Sequence, residues 1–293
     1  MMTTRRDFLS GAAAAFAAAP FASMPAMAQR HLLLGLQLYT VRADLAKDYE
    51  GTLKLVKSAG VRKVQANLTM SGKTSQQQRK LYDDLGLVWE SIHAGGDALR
   101  NTPQATIDEA KAAGIKNITC SFPLYPADRA TIMAGTTVDD WKRNIDAFNK
   151  VGDLCKKAGL SFAYHNHNLE FRKIGEVLPY DLLLKETDPA LVSMEMDIGW
   201  VIAGGADPVA YLTKYPTRYS SVHIKDLKNQ GIPNTNMKMV SAIIGQGIVD
   251  WAKVLPAVKK SSVTSAYLEL EEPYDPSPVG MVAASAAYLK GKL

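Results

Sequence analysis

The stretch KKAGLSFAYHNH, residues 156–167, passes from a helix end through a glycine into an apolar run with a polar finish. Lys156, Lys157 and Gly159 read as the last turn of a helix and its left-handed cap. Leu160 to Tyr164 read as a strand. His165 and His167, two residues apart, project from one side of its C-terminal end. The same pattern recurs at KSAG (57–60), DDLG (83–86) and KAAG (111–114), each leading directly into an apolar run. Apolar runs cover 32–39, 61–68, 87–93, 115–122, 160–167, 191–199, 219–226 and 265–272. Helical patterns cover 48–59, 74–86, 103–113, 137–158, 178–187, 207–215, 250–260 and 277–290. Strict alternation of this kind predicts an α/β fold, a (β/α)8 TIM barrel forming a single domain over 29–293. A doubly wound open sheet would need a glycine-rich phosphate turn after the first strand, and LQLYTVRADL (36–45) has none.

Residues 1–28 stand apart. Arg5 and Arg6 precede Phe8, Leu9 and an alanine-rich run that ends in Ala26-Met27-Ala28, a small-x-small cleavage pattern. This reads as a twin-arginine export signal, cut after about residue 28. It implies passage through the twin-arginine machinery, a periplasmic location and no stable membrane insertion after cleavage. The apolar run, interrupted by Pro20 and Pro25, is a poor membrane anchor.

With 293 residues, 47% of them hydrophobic and 22% charged, the chain can bury a large core. Its net charge of +5 becomes +4 when the leader takes Arg5, Arg6 and Asp7 with it. The charges are interspersed, without the basic stripe that a nucleic-acid partner requires. Cys120 falls at a strand end and Cys155 late in the following helix, near opposite ends of one βα unit, so two unpaired thiols are expected.

In a barrel of this kind, chemistry collects at the C-terminal strand ends. The polar residues expected there are Gln37 and Tyr39, Glu90 and His93, His165 and His167, Glu195 and Asp197, His223 and Lys225, and Glu269 and Glu271. Four of the chain's five histidines are among them. So many ionisable groups in one mouth are expensive to bury unless they pair with each other or hold a cation. A mixed nitrogen and oxygen donor set suits a divalent Mn, Zn, Co or Fe ion better than Ca.

YHNHNLEF (164–171), MDIGWVIAGGADP (196–208), RYSSVHIKD (218–226), IGQGIVDW (244–251) and YLELE (267–271) resemble, in order, the signatures of the xylose isomerase-like TIM barrels. That family, labelled sugar phosphate isomerase/epimerase, includes inosose dehydratases and, more distantly, endonuclease IV. The resemblance implies a divalent metal held by Asp197, His223 and Glu269. His165 stands at the first position of the set, where many relatives have glutamate. It also implies catalytic roles for His167, Glu269 and His165, and substrate-binding positions at His93 and Glu170, with Lys225 and Gln37 assigned to the same group. Gly245 and Gly247 are expected to shape the loop after the seventh strand. The implied reaction is proton removal next to a carbonyl of a small-molecule carbohydrate, as in a sugar isomerase or epimerase. The alternatives are a lyase or dehydratase acting on a keto-sugar, keto-inositol or 3-keto-glycoside, and a non-catalytic exported sugar-binding protein. A metal-dependent endonuclease would call for a basic groove and more zinc ligands.

Overall fold

The structure, a computed structural model, describes residues 31–293; the export signal and its cleavage pattern lie outside the described residues. Eight parallel strands close into one barrel: β1 (Leu34–Gln37), β2 (Lys63–Ala66), β3 (Val88–Ala94), β4 (Asn117–Cys120), β5 (Ser161–His165), β6 (Ser193–Asp197), β7 (Tyr219–Ile224) and β8 (Ser265–Leu268). Neighbours in sequence are neighbours in space, and β8 closes the ring against β1 with Leu36 opposite Leu268. All eight expected helices are present, shorter than their sequence patterns by at most a few residues.

Local chemistry sets the punctuation. Gly60, Gly86, Gly114 and Gly159 all adopt positive φ at the four helix ends that the sequence marked, a region in which a Cβ would be strained. Thr137 and Asp140 form a reciprocal capping box that starts the longest helix, Val138–Ala158, and Thr74 with Gln77 does the same for Ser75–Asp84. Those two helices bury Trp141, Phe148 and Tyr82 among the residues that pack against the sheet.

The strands end earlier than the apolar runs imply. Residues 166–167, 198–199 and 269–272 belong to loops or to the next helix, which frees their side chains from the sheet geometry. Short elements without a long periodic pattern fill these loops: a 3-10 turn at Leu38–Val41 and helices at Arg42–Lys47, Gly96–Asn101, Arg129–Ala134 and Ile198–Ala203. Among the described residues, no helix is long and apolar enough to cross a membrane. Cys120 and Cys155 are both free and buried.

The inside of the barrel is unusual for being polar. Gln65 of β2 donates across the barrel to Glu195 of β6, and Ser221 of β7 donates to the same carboxylate. A polar interior is tolerable only when its groups satisfy each other, because water is excluded there.

Candidate active site

The site begins at the end of β6. Asp197 caps the helix Ile198–Ala203 through Oδ1, which accepts from the Trp200 backbone N–H at 2.9 Å. Asn166, just past β5, accepts the Asp197 backbone N–H at 3.1 Å. With Oδ1 committed to the cap, Oδ2 faces the barrel mouth. Register then does the rest: His165 lies opposite Glu195, and Asp197 opposite His223. Glu269 follows β8 directly, its N–H bonded to Ile224.

Four donor atoms from four consecutive strands converge there. Asp197 Oδ2 lies 3.9 Å from His165 Nε2 and 3.7 Å from His223 Nδ1, and His223 Nδ1 is 2.8 Å from Glu269 Oε2. All four atoms lie within 4.8 Å of one another and all four residues are buried. A tetrahedral ion with ligands at about 2.1 Å separates its donors by about 3.4 Å, so the set fits a transition-metal ion. The four residues expected as metal ligands are thus brought together. A second, deeper set of donors (His93, His165, Glu195 and His223) shares two of the imidazoles.

Lys225 supplies the fixed positive charge. Its side chain is wholly buried, with Nζ 2.8 Å from Asp197 Oδ2, 2.9 Å from Glu269 Oε2 and 2.6 Å from Glu271 Oε1. Gly199 makes room for it: a Cβ there would come within 2.8 Å of Lys225 Cγ. The D-x-G-W segment therefore supplies a ligand at Asp197, a passage for a lysine stem at Gly199, and an aromatic face at Trp200, 5.1 Å from the ammonium.

Electrostatics follow from this crowding. Burial disfavours charge on Glu269, but Lys225 and His223 outweigh it and hold the carboxyl well below its ordinary range. Burial pushes Asp197 up to about 6, with Lys225 opposing. For His223, burial is overcome by Glu195 and Glu269, which raise it to about 10. His165 falls to about 3 through burial and the neighbouring His223 charge. His165 Nδ1 is buried 3.3 Å from Glu195 Oε1 without an aligned hydrogen bond.

His167 stands beside this cluster, half-buried, its ring 5.0 Å from that of His165 and flanked by Trp200 and Phe122. Its Nδ1 has no hydrogen-bond partner. Burial, with the Lys225 charge adding to it, holds the ring neutral, the form that accepts a proton. His93 reaches the same space from β3, with Nε2 donating to Glu195 at 2.7 Å.

Several expected site residues have other places. Glu170 does not face the mouth: it is fully buried and accepts from Tyr164 Oη at 2.5 Å and the His167 backbone N–H at 2.9 Å. Burial pushes it up to about 7, and its role is to hold the turn that presents His167. Gln37 is buried and donates to Gln65 rather than standing free for substrate. Glu90 lies toward the opposite, N-terminal end of the barrel, where it is bound to Lys63 and Lys116. An irregularity in the β2–β3 pairing at Val64/Gln65 accompanies that displacement.

Lys225, expected to bind substrate, is instead buried among carboxylates, and Asp226 beside it is buried too. Asp226 accepts from the backbone N–H groups of Leu227, Gly245, Gly247 and Val249 and from Trp251 Nε1. The loop after β7 thus folds around a carboxylate of its own, and a Cβ at Gly247 would strike Asp226 Oδ1 at 2.1 Å. Gln65 was not expected at the site, and Glu195 was expected at the mouth without an assigned role; the available signal was Glu195 two residues before Asp197, on the same face and one layer deeper.

A closed eight-stranded parallel barrel with these donors at its C-terminal mouth defines the class. Over residues 53–292 the chain matches the family described as xylose isomerase-like TIM barrel, and it belongs to that family. A sugar phosphate isomerase/epimerase from Parabacteroides distasonis is 26% identical with a TM-score of 0.74, over 89% of this chain and 98% of that one. The inosose dehydratase of Clostridium tetani is 27% identical over 169 residues, 53% of this chain and 56% of the relative. The chain thus spans about half the length of the curated relatives it matches. The IolI protein, solved with a bound zinc atom, shares the fold at 13% identity and a TM-score of 0.67, over 88% of this chain and 97% of that one.

Proposed function

We propose that this chain is a divalent-metal-dependent enzyme of the sugar isomerase/epimerase type, removing a proton next to a carbonyl of a sugar or keto-sugar. The observation that carries the reading is the convergence of His165 Nε2, Asp197 Oδ2, His223 Nδ1 and Glu269 Oε2 beside a histidine with an unpartnered nitrogen. These four residues would hold the ion. When bound, such an ion would act as a Lewis acid toward a carbonyl oxygen and the negative charge that develops on it. His167 is positioned to take the proton, and Glu269, kept ionised by Lys225 and His223, offers a carboxylate on the other side. Lys225 also holds Asp197 and Glu269 at a fixed spacing.

A second reading is elimination, as in a dehydratase or a lyase on a 3-keto-glycoside. It is favoured by the asymmetry of the site: β5 ends in the imidazole of His165, so a carboxylate stands on one side only. One base and one acid suit departure of a leaving group. The proposed site of action is the periplasm, following export through the twin-arginine machinery.

The test is proton NMR in D2O of metal-loaded protein with free sugars and 3-keto-glycosides. Deuterium entering the carbon next to the carbonyl, without loss of a group, supports isomerisation or epimerisation. Exchange coupled to release of a group selects elimination. A protein that binds metal and sugar yet exchanges nothing overturns the enzymatic reading in favour of carbohydrate binding alone.

A further inference from the structure

We infer that Gln37 and Gln65 are positioning residues that fix which nitrogen of His223 is offered to a cation. This rests on the cation site proposed above and deepens it.

The assignment starts from a backbone group that can only donate. The Tyr39 N–H donates to Gln37 Oε1 at 3.2 Å, so the Gln37 amide nitrogen must face the other way. That nitrogen donates to Gln65 Oε1 at 2.9 Å. Gln65 is oriented a second time from its other end. Its Nε2 donates to Glu195 Oε2 at 2.8 Å, and an ionised carboxylate can only accept. The same Nε2 donates to Ser91 Oγ at 2.9 Å. Both ends agree that Gln65 Oε1 is an acceptor.

His223 Nε2 lies 2.8 Å from that oxygen and must therefore carry a proton. The nitrogen that can give up its proton to bind a cation is Nδ1, which faces Glu269 Oε2 at 2.8 Å and Asp197 Oδ2 at 3.7 Å. Gln65 and His223 are fully buried and Gln37 is 2% exposed, so water cannot stand in for a lost partner. The relay runs from a backbone amide in the 3-10 turn after β1, through Gln37 of β1 and Gln65 of β2, to His223 of β7, joining strands far apart in sequence. Metal-ligating histidines are commonly held in this way through their other nitrogen, and loss of the holding group weakens metal affinity by about 10–100-fold.

The experiment uses protein labelled with 15N-histidine, metal-free and zinc-loaded, with zinc affinity measured by competition with a chelating dye. In the wild-type protein, His223 should show a slowly exchanging proton on Nε2 in both states, and zinc should shift Nδ1. Gln65→Met should weaken zinc binding by about 10–100-fold and turn the slow Nε2 proton into a fast-exchanging one, because Glu195 Oε1, at 3.1 Å, is then its only acceptor. Gln37→Met, which disturbs the core less, should release Gln65 to turn and weaken zinc binding by about threefold or more. Zinc bound through Nε2, or both variants binding within twofold of wild type, would overturn the inference. If the wild-type protein takes up no zinc, the cation-site reading fails on its own. A slow Nε2 proton lost in Gln65→Met would still support the relay, and its absence from the wild type would refute it.

Discussion

Lys225→Met is the most demanding test of the site's electrostatics. The ammonium lies 2.6–2.9 Å from three carboxylate oxygens and has no exposure to solvent. At an effective dielectric near 20, each contact at that range is worth about 6 kcal/mol of attraction, offset by the cost of burying the charge. Methionine keeps much of the stem's volume but leaves Asp197 and Glu269 facing each other without their shared cation. Breaking a buried pair by removing one partner typically costs about 3–5 kcal/mol, and here three partners lose it. For a domain of this size that lowers the melting temperature of the metal-free protein by about 10 °C. A divalent ion supplies the missing charge at the same two oxygens, so saturating zinc or manganese should recover most of the loss. Thermal and urea unfolding with and without metal provide the measurement. Destabilisation below about 1 kcal/mol, or a loss that metal leaves untouched, would refute the assignment of Lys225 as the fixed counter-charge of the donor set.

Other expectations are more local. His165→Ala should lower metal affinity by at least about tenfold, measured by dye competition; unchanged metal content and turnover would remove His165 from the donor set. His167→Gln should leave metal content intact while lowering the exchange rate by about 10²–10⁴-fold, because on the proposed mechanism it removes only the proton acceptor. Burial pushes both thiols up to about 12, so Cys120 and Cys155 should resist Ellman's reagent at neutral pH in the native protein. Both should react once it is unfolded. For the export proposal, Arg5→Lys together with Arg6→Lys should leave the protein in the cytoplasmic fraction, and continued appearance in the periplasm would count against a twin-arginine route.

Much of this protein is legible along the chain. Glycines at 60, 86, 114 and 159 follow helices and precede apolar runs, because a left-handed cap and a buried strand have strong local signatures. The spacing by two of Glu195 and Asp197, and of His223 and Lys225, places chemistry at strand ends through the period-two geometry of a strand. That is enough to assemble His165, Asp197, His223 and Glu269 once eight strands are counted. What local pattern does not contain is depth. Glu90 and Glu195 both read as strand carboxylates, yet one binds Lys63 toward the N-terminal end and the other accepts from Gln65, Ser221 and His93 beneath the donor set. Glu170 reads as a site residue until the turn after β5 folds it against Tyr164. Lys225 reads as a substrate-binding position until three carboxylates from two other strand ends surround it.

The sequence alone therefore determined the alternation, the single barrel and which residue types stand at its mouth, because caps and hydrophobic periods act over a few residues. Closure of the ring decided the rest. Only when β1 meets β8 and β2 faces β6 across the interior do Gln37, Gln65 and Glu195 come beneath His223. Their roles come from hydrogen bonds between residues separated by 28 to 158 positions, distances over which no local pattern acts.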